Sequence, residues 1–120
     1  ILGVVPVDLF IPVLTFVYGE AQLGGSAAVV STARLAAEAA GAREAPVFTD
    51  RVVKECVHEL GHTYGLIHCD TSGCVMTRSV NLLEIDAKRV ALCELCEARF
   101  IELRHKDGHH EQGTHTHPRR

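Results

Sequence analysis

His58, Glu59, His62, Gly65 and His68 stand in the spacing H-E-x-x-H-x-x-G-x-x-H, and each fixed letter has a physical task. Residues four apart on a helix lie one turn above another on the same face, so His58 and His62 can offer two imidazole nitrogens to one ion. Gly65 can take the left-handed conformation that ends a helix and turns the chain back. His68 then returns as a third neutral ligand. Three protein ligands leave the fourth position of a tetrahedral Zn²⁺ open, the arrangement of a catalytic site. Glu59, beside the first ligand, is placed to take a proton from water there. At the helical period Val53, Cys56, Val57, Leu60 and Tyr64 fall opposite His58 and His62, so that face is expected to pack on the core.

The cysteines make a second constellation. Cys69 follows His68 directly, Cys74 comes next, and Cys93-Glu94-Leu95-Cys96 closes the set. Two close pairs suit a four-thiolate Zn²⁺ site, because each pair bites from one side of the tetrahedron. Two disulfides are the alternative. A C-x-x-C pair inside a helix is poorly shaped for its own disulfide, and no secretory segment is visible, which favours zinc. Such an ion is structural, since four thiolates leave no open position. Cys56 is the odd cysteine and reads as a small buried hydrophobe.

His58 to Cys69, then Cys74-Val75-Met76, then Cys93-x-x-Cys96 resembles the archaemetzincin family. Leu14 to Ala21, Ala28 to Leu35 and Glu84 to Lys88 are similar to that family too, so the likeness runs over most of the chain. The resemblance implies that His58, His62 and His68 bind the catalytic zinc with Glu59 as general base. It implies that Met76 lies beneath that metal, and that Cys69, Cys74, Cys93 and Cys96 hold a second, structural zinc. It further implies a peptidase with aminopeptidase-like action on small peptides. Two departures stand out. Where the family has an aromatic residue followed by a Ser-Asn-Ser-like run, this chain reads Thr77-Arg78-Ser79-Val80-Asn81. The family's first strand and helix are also missing ahead of Ile1, so the sequence reads as the C-terminal piece of a longer protein.

Around these motifs the patterns predict strands at residues 1–5, 13–18 and 27–31, with Gly24-Gly25 turning between the last two. Arg34 to Ala40 is a short helical candidate. Thr49 or Asp50 is expected to cap a helix that carries the histidines to Tyr64. Asn81 with Glu84 starts a final helix running to about Arg104, with Leu82, Ile85, Val90, Leu92, Leu95 and Phe100 as its apolar positions. The expected fold is α/β (α+β): a small metzincin-like domain over residues 1–104 with a twisted sheet, an active-site helix and a C-terminal helix tied by the cysteine site. Residues 105–120, a polar tail carrying five histidines, read as a solvated extension whose imidazoles could reach a metal.

With 120 residues, 47% of them apolar, the chain can bury one modest core, and two zinc ions are the kind of support small domains use. A net charge of −3 argues against a general nucleic-acid surface. Pro6, Asp8 and Pro12 interrupt the apolar start, so it reads as strand rather than membrane helix. The expected function is zinc-dependent peptide-bond hydrolysis in the cytoplasm, with a peptide or protein as substrate and neither nucleic acid nor membrane as partner. Substrate is expected to lie extended along an edge strand near Ala27 to Thr32. The alternative is a zinc-stabilised binding or structural protein whose catalytic position is empty or occluded.

Overall fold

The computed structural model describes residues 1–11, 16–36, 45–109 and 117–119. β1 (Leu2–Val5) pairs in parallel with β5 (Ala28–Ser31), matching Leu2 to Ala28 and Val5 to Ser31. β4 (Gly19–Leu23) pairs antiparallel with the other side of β5, matching Gly19 to Val30 and Ala21 to Ala28. The turn between them falls at Gly24-Gly25, with Gly24 at φ 67°, a conformation that glycine adopts without a side-chain clash. β2 (Leu9–Phe10) and β3 (Phe16–Val17) form a separate antiparallel pair. α1 (Ala45–Thr63) packs on β4 and β5, followed by α2 (Leu82–Ala87) and α3 (Glu94–His109). The last element, β6 (His117–Arg119), adds antiparallel to β4 and sets Leu23 against His117.

The sheet order β1-β5-β4-β6 places Ala28–Ser31 in the interior. Both sides of β5 already carry hydrogen-bonded neighbours, so the expectation of a substrate edge there is wrong. The strand bordering the histidines is β4, which alternation did not reveal because Gly19 and Ala21 carry little side-chain pattern. In the tail, α3 continues to His109 and His117–Arg119 forms β6. The imidazoles of His109, His110, His115 and His117, candidates for a metal, lie outside the described side chains. Residues 37–40 of the helical candidate after Arg34 are likewise outside the described residues.

α1 departs from expectation in two ways. Thr49 and Asp50 are inside the helix, not its caps, because Pro46 sits in the first turn, where its missing N–H costs nothing. Asp50 instead pairs with Lys54 at 2.9 Å. The helix also buries its polar face: Arg51, Lys54, Glu55, His58, Glu59 and His62 are each 6% exposed or less, while Val53, Leu60 and Tyr64 are 41%, 38% and 43% exposed. Amphipathic reasoning inverts here because the polar side chains meet partners. Arg51 makes a two-pronged bond to Asp86 and donates to Leu35 O. Lys54 Nζ donates to the Ile85 and Asp86 carbonyls, pinning the end of α2 to α1.

The expected single helix from Asn81 to Arg104 is two. Asn81 does cap, accepting from Glu84 N at 2.9 Å while Glu84 Oε1 accepts from Val80 N. The helix then stops at Lys88, whose backbone is extended (φ −96°, ψ 163°) and whose ammonium turns inward to donate to Thr77 O at 2.8 Å. A continuous helix could not bring Cys93 back to Cys69 and Cys74. Leu95 faces solvent at 75% exposed, whereas Leu92 and Phe100 pack inward. Among the described residues, buried apolar side chains form two groups: Tyr18, Leu35 and Ile85 with Phe48 and Val52, and Leu66, Val75 and Met76 with Val57 and Phe100.

Candidate active site

α1 presents His58 and His62 one turn apart, and Gly65 at φ 105° turns the chain so that His68 returns to them. One nitrogen from each of the three rings lies within 4.8 Å of the other two. His58 Nδ1 sits 2.8 Å from Val75 O, and His62 Nδ1 sits 2.8 Å from Leu66 O. A carbonyl can only accept, so each Nδ1 carries the proton and each Nε2 presents its lone pair. The two Nε2 atoms are 3.2 Å apart. Fixing the tautomer through a carbonyl is how ligating histidines are commonly held. Burial, ahead of the Lys88 charge, pushes His58 down to about 3, so it stays neutral and able to ligate. The donor set therefore fits a zinc ion with three protein ligands.

Glu59 lies 4% exposed beside this cluster. A Cβ placed on Gly19 would come within 2.7 Å of Glu59 Oε2 and 2.9 Å of its Cδ. The start of β4 is thus packed directly on the carboxylate, and only a glycine permits that approach. Gly19→Ala is expected to displace the Glu59 carboxyl with little change in melting temperature, since only the end of one flexible side chain has to shift. A crystal structure and thermal melting of the variant check it. Met76 is fully buried beneath the same helix, and its sulfur would be 2.6 Å from a Cβ at Gly61.

The four cysteines converge as well, with Sγ atoms of Cys69, Cys74, Cys93 and Cys96 within 4.8 Å of one another. None is in a disulfide. Backbone N–H groups of Met76 and Cys93 point at Cys74 Sγ, and that of Thr71 at Cys69 Sγ, each at 3.4 Å. A backbone hydrogen bond first of all lowers Cys93 to about 6, whereas burial raises Cys74 and Cys96. Four clustered sulfurs cannot all ionise unaided, and a divalent cation is what lets them do so. The cluster fits zinc. Cys56 is half-buried and outside it, and burial raises its thiol, consistent with an inert residue.

Sequence reasoning missed the pair behind the histidines. Lys88 Nζ lies 3.7 Å from Glu55 Oε2, both side chains being 5% exposed or less. Burial raises Glu55 and lowers Lys88, each pushed toward its neutral form. Glu55 stands one helical turn before Glu59 on the same face, a spacing that could have marked it. Lys88 gave no such signal, because an inward lysine beyond a helix end has no period.

A cavity of about 350 Å³ opens onto His58, Glu59 and His68. Its walls are Ile11, Phe16, Val17 and Val80, with Glu55 and Arg78 among its polar groups.

The model of peptidase family M54 matches residues 1–102. The chain belongs to that family. It is 45% identical over 104 residues to the archaemetzincin of Haloarcula marismortui, covering 83% of this chain and 60% of that protein. It is 46% identical over 96 residues to the archaemetzincin of Methanopyrus kandleri, covering 80% of this chain and 52% of that one. The crystal structure of the Methanopyrus kandleri protein superposes with a TM-score of 0.79 over 87% of this chain and 55% of that one. The archaemetzincin of Archaeoglobus fulgidus, solved in complex with malonate, superposes at 0.73 with 41% identity, over 82% of this chain and 58% of that one. The chain thus spans between half and three-fifths of the length of these relatives. The likeness to these solved structures, at about two-fifths sequence identity, bears out the expected α+β class. No helix among the described residues is long and apolar enough to cross a membrane.

Proposed function

We propose that this chain is the catalytic part of a zinc metallopeptidase, with His58, His62 and His68 holding the catalytic ion and Glu59 acting as general base. The observation that carries the reading is the cavity: an open, mostly apolar recess meets all three elements of the chemistry at His58, Glu59 and His68. An occluded site in a purely structural zinc protein would not have that opening. When bound, zinc acidifies a water and polarises the scissile carbonyl. Glu59 takes the proton of the attacking water and returns it to the leaving amine nitrogen. Val75 O and Leu66 O hold the two helix-borne imidazoles in the ligating tautomer, and the apolar cavity wall keeps bulk water from the carboxylate.

Cys69, Cys74, Cys93 and Cys96 hold the second ion in this reading, giving two zincs per chain. They form the catalytic domain together with the histidines over residues 1–104, followed by a polar, histidine-rich segment, 105–120, that completes α3 and adds β6 to the sheet. Free thiols around a thiolate metal site belong to a reducing compartment, which supports a cytoplasmic location. Small peptides are the substrates proposed, cleaved from the amino end.

Metal analysis with a peptide-library digestion tests this. Purified, zinc-replete protein should contain two zincs and cleave peptides. A mild chelator should remove the histidine-held ion first and abolish cleavage with the far-UV circular dichroism unchanged, because three imidazoles bind less tightly than four thiolates. One zinc per chain, or cleavage that survives loss of the first ion, contradicts the reading.

A further inference from the structure

Arg78 is exposed at the cavity, and among the described residues no carboxylate pairs with it. Its guanidinium instead lies 3.4 Å from His68 Nδ1. Arginine only donates, so this contact uses the lone pair on Nδ1. Ligation of a metal through Nδ1 would consume that lone pair. Ligation through Nε2 would put the proton on Nδ1 and set two donors against each other. On either route the contact and metal binding exclude one another, and Arg78 must leave His68 when the ion enters.

What it then faces is decided by charge. Of the cavity's two carboxylates, Glu55 is matched by Lys88. Glu59 sits beside the histidines, where a divalent ion more than offsets it. The guanidinium is left as positive charge that no carboxylate among the described residues pairs with, on a stem long enough to reach along an apolar wall. A carboxylate is the group its planar fork of donors matches best.

Resting on the peptidase reading of this cleft, we infer that Arg78 selects substrates carrying a carboxylate near the scissile bond, and that its contact with His68 competes with metal binding at that ring. The carboxylate can be an acidic side chain or the free end of a short peptide. Electrostatic pairing at a partly exposed site gives a preference of about tenfold.

The test is equilibrium binding to zinc-loaded Glu59→Gln protein, in which peptides are not consumed. Matched short peptides carrying Glu, Gln or Lys beside the first peptide bond are compared, each with a free and an amidated C-terminus. The expected result is about tenfold tighter binding of the carboxylate-bearing peptides, lost in Arg78→Ala and partly kept in Arg78→Lys. Preference for Glu over Gln in amidated peptides assigns the side chain, and preference for free over amidated ends assigns the terminus. Equal affinities across the series, or a preference that survives Arg78→Ala, overturns the inference. In the same proteins, chelator competition should show the histidine-held zinc bound roughly three- to tenfold more tightly in Arg78→Ala, since a competing donor and a nearby cation are gone. Unchanged zinc affinity overturns the competition. Because every readout is binding, charge preference without any cleavage by the unmutated protein would defeat the peptidase reading alone. Cleavage without charge preference would defeat this inference alone.

Discussion

Glu59→Gln is expected to lose nearly all peptide hydrolysis while keeping its fold and both metal ions. The substitution preserves size and shape in a side chain that is 4% exposed and packed on Gly19. Gln cannot accept the proton of an attacking water, and removing a positioned base costs about 10²–10⁴ in rate or more. His58 and His62 keep their lone pairs, because their tautomers are set by Val75 O and Leu66 O rather than by Glu59. Single-turnover hydrolysis with metal analysis on the same sample checks it. Undiminished turnover in the variant would remove Glu59 from the mechanism.

Cys93→Ser should cost more in stability than any other single change proposed for this chain. The four sulfurs join the loop that begins after His68 to the start of α3, two segments otherwise linked through apolar contacts and the backbone hydrogen bonds Arg89 N to Gly73 O and Val75 N to Ala91 O. A structural zinc contributes about 10–16 kcal/mol of apparent binding energy in small metal-folded units, comparable with the whole 5–15 kcal/mol stability of an ordinary domain. Replacing one thiolate by a hydroxyl, a poor zinc ligand, removes much of that support. The expected outcome is a chain that aggregates or shows collapsed amide dispersion by NMR, with loss of the histidine site as well, since Cys69 is joined directly to His68. A Ser variant that melts at the parent temperature would mean the cysteine cluster is not what holds α3.

These two outcomes rest on features of unequal legibility. The histidines, Glu59 and the four cysteines are marked by residue type and spacing, because a metal imposes fixed distances on its ligands and few other demands produce that pattern. The cap at Asn81 and the turn at Gly24-Gly25 were equally plain, being local hydrogen-bond and backbone chemistry. The length of the last helix was not. Its periodicity continues across Lys88, and only the need to bring Cys93 beside Cys74 and to bury the Lys88 ammonium at Thr77 O breaks it.

The amino-acid sequence by itself determined which residues can hold zinc, which carboxylate stands beside them, and the mixed class of the fold, because each follows from spacing along one helix or one short loop. Tertiary structure alone decided that α1 buries its charged face, that Glu55 meets Lys88, that β4 rather than β5 borders the histidines, and that Arg78 rests on His68. Those four facts depend on partners distant along the chain. A buried charge is stable only where its counter-charge or carbonyl arrives from another element, and no periodicity within α1 records where Lys88, Asp86 or Gly19 will be.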